Sequence, residues 1–199
     1  LTAAVSADGL IVIHPPMPPR PPMPRPLPPP PPPRVLPVSW HRVTVEITDA
    51  AAVTTVEQAF RNDTDADLEG TYLFPLPEET AIAEFSLFAD GKKLTGEILD
   101  KDAARRTYED IVRRMRDPGL LEYAGRNLFR ARIYPIPARG EKRVRIVYHQ
   151  TLPRDAGTYR YRYPLDTERF SPKPIADVSI SARISCSTPT GMIFSFGSP

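Results

Sequence analysis

The sequence predicts a mainly β fold, a β-sandwich with one packed α-helix, preceded by an extended polyproline II arm. Three observations carry this. Apolar and polar residues alternate with period two in segment after segment from Trp40 onward, the pattern of strands with one buried face. Clusters of glycine, proline and aspartate separate those segments, as turns require. Pro15 to Pro37 (PPMPPRPPMPRPLPPPPPPRVLP) is nearly all proline, and a residue with fixed φ and no N–H belongs neither in a helix nor in an inner strand. The chain therefore divides into an extended arm, residues 1–37, and a folded body, residues 38–199.

The arm opens with a short apolar run at 10–14, Leu10-Ile11-Val12-Ile13-His14. Too short to be stable alone, it is expected to add as a strand to an exposed sheet edge, in its own domain or in a neighbouring subunit. Leu10, Ile11, Val12 and Ile13 are thus candidate partner-binding residues. The prolines that follow, tract 15–37, are expected to adopt polyproline II, rising about 3.1 Å per residue, so that Pro15 to Arg34 spans on the order of 60 Å. Arg20, Arg25 and Arg34 punctuate the tract, with Met17, Met23 and Leu27 as apolar pegs. The segment reads either as a stiff spacer or as a docking segment, for a partner's aromatic groove or along a neighbouring subunit.

In the body, Val43, Val45 and Ile47 alternate with Thr44, Glu46 and Thr48, and Thr54, Val56, Gln58 and Phe60 continue in a second strand. Asn62 to Asp67 is a polar turn, and Gly70 to Phe74 is a third strand closed by Pro75 and Pro77. Ile82–Phe88 and Lys93–Ile98 flank Asp90-Gly91, a hairpin signal because the tight turn wants positive φ. A helix is expected from Asp100 through Met115, with Ala104, Tyr108, Ile111 and Met115 on one face. Acid-before-base pairs four apart support it, and Asp117-Pro118-Gly119 ends it. Strands resume at Asn127–Tyr134, Lys142–Thr151, Tyr159–Tyr163 and Val178–Ser185.

Composition narrows the function. The 199 residues are 41% hydrophobic and 25% charged, as in globular proteins. A net charge of +2 implies no bulk attraction to nucleic acid or membrane. Cys186 is the only cysteine, so no intrachain disulfide forms. No apolar run approaches the length of a membrane helix. The chain opens on Leu1, and LTAAVSADG is compatible with what a cleaved secretion signal leaves behind.

No catalytic constellation stands out. His14, His41 and His149 lack ligand spacing, and there is no GxSxG elbow, phosphate loop or CxxC pair. Asp177-Val178-Ser179-Ile180-Ser181 matches a D-x-S-x-S metal pattern, but it starts an alternating strand rather than a loop before a helix. No catalytic residue, metal site or cofactor is expected, and the chain does not read as an enzyme. Asn62-Asp63-Thr64 matches a glycosylation acceptor in a turn. Tyr159, Tyr161 and Tyr163 form a tyrosine ladder suited to core or interface packing. Arg130, Arg132, Arg143 and Arg145, in two strands adjacent in sequence, form the core of a basic cluster with Arg126, Arg139 and Lys142. Together with Arg113, Arg114 and Arg116 it is either a solvated face or a site for an acidic partner or a polysaccharide. Nucleic acid is not expected, since no aromatic residues interleave with the charges.

Several segments together resemble a known family. GTYLFPLPEETAI at 70–82 is similar to the signature of the VIT domain (vault protein/inter-alpha-trypsin), of the bacterial VIT/von Willebrand A type. VTVEITDAAAVTTVEQAFRN at 43–62, ADGKKLTGEILDKDAARRTYEDI at 89–111 and NLFRARIYPIPARGEKRVRIVYHQTL at 127–152 resemble other parts of it in the family's order. The resemblance covers about residues 38–190. It implies a non-catalytic β-sandwich, usually followed by a von Willebrand A domain, in extracellular or surface-associated proteins that act through protein contacts. The polyproline arm departs from the family pattern.

The expectation is therefore a secreted or cell-surface (or periplasmic) interaction and assembly module with protein partners. Its arm mediates attachment, or self-assembly into an oligomer or filament. The alternative is the support domain of a larger adhesin with a von Willebrand A domain; a hydrolase with an unrecognised site is a third reading.

Overall fold

The computed structural model describes residues 9–13, 34–77, 79–89, 92–95, 97–98, 128–163, 174–187 and 191. The expected helix at 100–115 and the proline tract from 15 to 33, including Arg20 and Arg25, lie outside the described residues. What is described is mainly β. The strands are β1 (Leu10–Ile13), β2 (Arg34–Val35), β3 (Val38–Thr48), β4 (Ala51–Arg61), β5 (Leu68–Pro75), β6 (Thr80–Ala89) and β7 (Lys92–Thr95). They continue with β8 (Glu97–Ile98), β9 (Leu128–Ile136), β10 (Glu141–Thr151), β11 (Arg154–Asp155), β12 (Thr158–Tyr159) and β13 (Asp177–Ser185).

Two sheets form the body. Sheet A has five strands in the order β2-β1-β5-β9-β8, and sheet B has six in the order β13-β3-β4-β10-β6-β7. A separate small hairpin joins β11 and β12. The sheets meet through their apolar stripes. Val43, Val45, Val56, Phe60, Val144, Ile146 and Tyr148 come from sheet B, and Ile11, Ile13, Tyr72, Phe74, Phe129, Ala131 and Ile133 from sheet A; all belong to one buried cluster. Tyr72 is its hub, with ring centroids of Phe60 and Phe85 both at 5.9 Å, Phe74 at 6.2 Å and Phe129 at 6.5 Å. These spacings are those of favourable edge and offset aromatic pairs.

The apolar run at the N-terminus is a strand of this chain's own sheet. β1 lies between β2 and β5, with Ile11 opposite Tyr72 and Val12 opposite Val35. Ile11 and Ile13 enter the inter-sheet core. Leu10, Val12 and their neighbour Leu73 face the other side of the sheet and are equally buried. A four-residue run without alternation is what burial on both faces demands. Ile13 and Arg34, the described positions on either side of 14–33, are cross-strand partners. The expected reach of some 60 Å does not separate those two ends.

Three expectations change. The strand expected over 93–98 is two: β7 pairs β6 in sheet B, while β8 pairs β9 in sheet A. The chain thus changes sheets after the hairpin in which Ala89 pairs Lys92. Tyr159–Tyr163 is not a strand; only Thr158–Tyr159 is, in the small hairpin, because Tyr161 and Tyr163 turn their hydroxyls into the sandwich instead. β13 keeps its alternation but not a buried face. It runs parallel to β3 as the last strand of sheet B, and Val178 and Ile180 are 39% and 46% exposed.

Candidate interaction surface

The basic cluster does not assemble as one site. Arg130 and Arg132 lie on β9 in sheet A, and Arg143 and Arg145 on β10 in sheet B. Their inward neighbours, Ala131 and Ile133 on one strand and Val144 and Ile146 on the other, fill the shared core. Alternation therefore turns the two arginine pairs to opposite outer faces of the sandwich. The two strands are neighbours in sequence, yet the chain crosses between sheets at Pro137–Gly140. Lys142 points inward: it is buried and its Nζ donates to the Pro135 carbonyl at 3.0 Å. On sheet A, Arg132 pairs with Glu69. Arg34 is exposed at the start of β2.

Sheet B carries a richer outer face. Charges alternate in sign across its strands: Asp177 pairs Arg42 at 3.3 Å, Glu57 pairs Arg143, and Glu84 meets Arg145 at 3.9 Å and Lys93 at 3.0 Å. The Ser86 hydroxyl and then Lys93 hold the Glu84 carboxyl below its usual pKa. At one end of this array sits Trp40. The Arg42 guanidinium lies 4.7 Å from its ring centroid and that of Arg143 5.7 Å, while Arg143 also lies 4.9 Å from the Phe88 ring. Guanidinium–aromatic stacking of this kind is attractive at both ring faces. The Nε atoms of Arg143 and Arg145 are buried and have no hydrogen-bond partner among the described residues.

A second polar feature lies inside. Gln58 Nε2 donates to the Gly9 carbonyl at 3.3 Å and to His41 Nδ1 at 3.0 Å, and Tyr72 donates to Gln58 Oε1 at 2.9 Å. With Nδ1 accepting, the imidazole proton sits on Nε2, which faces the Tyr163 hydroxyl at 3.0 Å. Beside it, Thr54 Oγ1 and the Tyr161 hydroxyl are 2.8 Å apart, and burial raises the Tyr161 pKa. Burial lowers the His41 pKa from 6.5 to about 4. These groups tie together β1, β3, β4, β5 and the segment after β12. Linking this many elements suits a structural latch. His149 is exposed on β10. Among the described residues, no group of three or more histidine, cysteine or acidic side chains is placed to hold a metal ion. Asp177, Ser179 and Ser181 of the D-x-S-x-S match are spread along β13.

Asn62 is not a surface glycosylation acceptor. It is fully buried, and its Nδ2 donates to the carbonyls of Ala66, Ile136 and Pro137 at 2.9–3.1 Å. Its Oδ1 accepts from the Thr64 N–H and hydroxyl at 3.0 and 2.7 Å. The side chain builds the turn after β4 and pins it to the end of β9. Asn62→Ala leaves several buried groups unpaired and is expected to cost about 2–4 kcal/mol, read as a lowered urea midpoint; an unchanged midpoint would refute this role.

Among the described residues, no helix is long and apolar enough to cross a membrane. The comparisons agree on the family. The model of the Vault protein inter-alpha-trypsin domain matches residues 38–148, from the start of β3 into β10. The chain is 30% identical over 125 residues to von Willebrand factor A domain-containing protein 5A of Mus musculus, covering 61% of this chain and 16% of that protein. It is 30% identical over 119 residues to inter-alpha-trypsin inhibitor heavy chain H4 of Bos taurus, covering 59% and 13%. It is 26% identical over 113 residues to protein mono-ADP-ribosyltransferase PARP4 of Mus musculus, covering 57% and 6%. The chain thus spans about a sixth or less of the length of each of these relatives. With more than half of its residues inside the family match, and with the sandwich strands where that match lies, this chain belongs to the VIT (vault protein inter-alpha-trypsin) domain family.

Proposed function

We propose that the chain is a non-catalytic protein-interaction module that presents the outer face of sheet B to a protein partner. The observation that carries this is the Trp40–Arg143–Phe88 stack, rimmed by Arg42, Glu57, Arg145 and Glu84. Tryptophan and arginine are the side chains that dominate binding energy at protein interfaces, and a ring of charges around them supplies specificity. The name of one relative makes a von Willebrand A domain the first partner to test. In this reading the protein is secreted or surface-exposed, and the polyproline tract with Arg20, Arg25 and Arg34 is a second docking segment. A support role beneath an adhesin's A domain is the same contact seen from the partner's side.

Trp40 is the only tryptophan, so its fluorescence reports on this face alone. Titrating the chain with a von Willebrand A domain is expected to change that emission. Trp40→Ala, followed by calorimetry, should weaken binding at least tenfold, as for an interface anchor worth about 2 kcal/mol. Binding that leaves both the emission and the Trp40→Ala affinity unchanged would move the contact elsewhere.

A further inference from the structure

The four lateral edges of the two sheets are not alike. β2 and β8, at the edges of sheet A, are two residues each; β2 is followed by Leu36-Pro37. β7, at one edge of sheet B, has four residues, two of them Lys92 and Lys93. Short strands, prolines and lysines are the devices that keep an edge from pairing. β13 has none of them. It is nine residues long, DVSISARIS, without proline, glycine or lysine. Only Ile184 is half-buried; the other eight residues are exposed. Its outward backbone groups face away from β3, and among the described residues no strand lies beyond it. Val178 and Ile180 are two of the four large apolar side chains that stand exposed among the described residues.

We propose that two copies of this chain join edge to edge through β13, antiparallel about a two-fold axis at Ile180. The strand's own sequence selects that register. Asp177 then lies opposite Arg183 of the second copy, twice by symmetry, on the outer face. On the other face Val178 lies opposite Ala182, and Ile180 opposite its own copy. Opposite charges and apolar pairs directly across a strand pair stabilise it, whereas like charges oppose it. Moving the axis to Ser181 sets Asp177 opposite Ser185 and Arg183 opposite Ser179, and both ion pairs are gone. A self-complementary patch of this kind closes at two copies. It converts two six-stranded sheets into one continuous sheet of twice the width and brings the exposed Val178 and Ile180 against Ala182 and Ile180 of the second copy.

Sedimentation velocity on charge variants tests this. The unmodified chain should sediment as a dimer. Asp177→Lys alone and Arg183→Glu alone should each be at least tenfold weaker in self-association, because each sets like charges opposite one another twice. Mixing the two variants should restore dimers. In the mixed pair the introduced lysine meets the introduced glutamate, and the retained Arg183 of one copy meets the retained Asp177 of the other. Circular dichroism checks that each variant is folded. Should either fold poorly, Ile180→Lys, which sets two ammonium groups together on the axis, is the replacement and should also give monomers. A monomeric unmodified chain, variants that dimerise undiminished, or a mixture that stays monomeric would each overturn the proposal.

Discussion

Deleting residues 1–13 is expected to abolish cooperative unfolding of the body. The deletion removes four side chains, Leu10, Ile11, Val12 and Ile13, that are at most 7% exposed. At about 1.5–3 kcal/mol for each fully buried aliphatic side chain, the loss is about 6–12 kcal/mol. A whole domain is stable by about 5–15 kcal/mol, so the truncated chain has little or nothing left. It also uncovers one side of Tyr72 and leaves Gln58 without the Gly9 carbonyl. The single substitution Ile11→Ala should cost about 2–5 kcal/mol, and Gly9→Ala should be destabilising because its new methyl would overlap the Tyr72 ring. Tyr72 cannot yield easily, being packed by four aromatic rings. Differential scanning calorimetry of the deletion decides the matter: an unchanged transition would mean that β1 is not docked in solution. The role of the proline tract therefore has to be tested with β1 in place, for instance by replacing residues 14–33 with a flexible linker of equal length.

Much of the sandwich is legible because period-two alternation is a local signal. β3, β4, β6 and β10 each show it, and the Asp90-Gly91 pair marks the β6–β7 hairpin. The partition of strands between sheets is not legible. Alternation says which residues share a face, not which strand lies alongside. For that reason Arg130 and Arg143, thirteen positions apart in sequence, read as one cluster, although the crossing at Pro137–Gly140 sends them to opposite faces. β13 misleads for a related reason: Val178, Ile180, Ala182 and Ile184 form a proper apolar stripe, yet only Ile184 is half-buried and the other three are exposed. The outer-face stack is equally hidden, because Trp40, Phe88 and Arg143 come from three strands that meet only in the folded sheet. The buried latch does leave one sign. Gln58 stands in the stripe Thr54-Val56-Gln58-Phe60 where an apolar residue belongs, and a polar residue there demands a partner. Its partners, 17 residues away at His41 and 14 at Tyr72, become neighbours only once β3, β4 and β5 are assembled.

That latch makes stability depend on pH in a window set by His41. Its pKa is lowered from 6.5 to about 4 by burial, so between those values the unfolded chain binds the proton and the folded chain does not. Stability then rises with pH across the window. The contribution is fully present above about pH 6.5 and is lost as the pH falls toward 4. The shift corresponds to about 3 kcal/mol. The hydrogen bonds act in the same direction as burial. A protonated Nδ1 becomes a donor and meets the Gln58 amide nitrogen, which is also a donor. Turning the Gln58 amide over relieves that clash only by setting its oxygen against the Gly9 carbonyl, which loosens β1. The carboxylates of Glu84 and Asp49, held below their usual pKa by Ser86 and Ser187 respectively, lose their contribution only at lower pH. Urea unfolding measured between pH 4.5 and 7.5 should therefore show a rising midpoint in the native chain. His41→Gln, which keeps a polar group but cannot take up a proton, should be less stable at pH 7.5 and should flatten the slope. A slope that survives His41→Gln would assign the pH dependence to other groups.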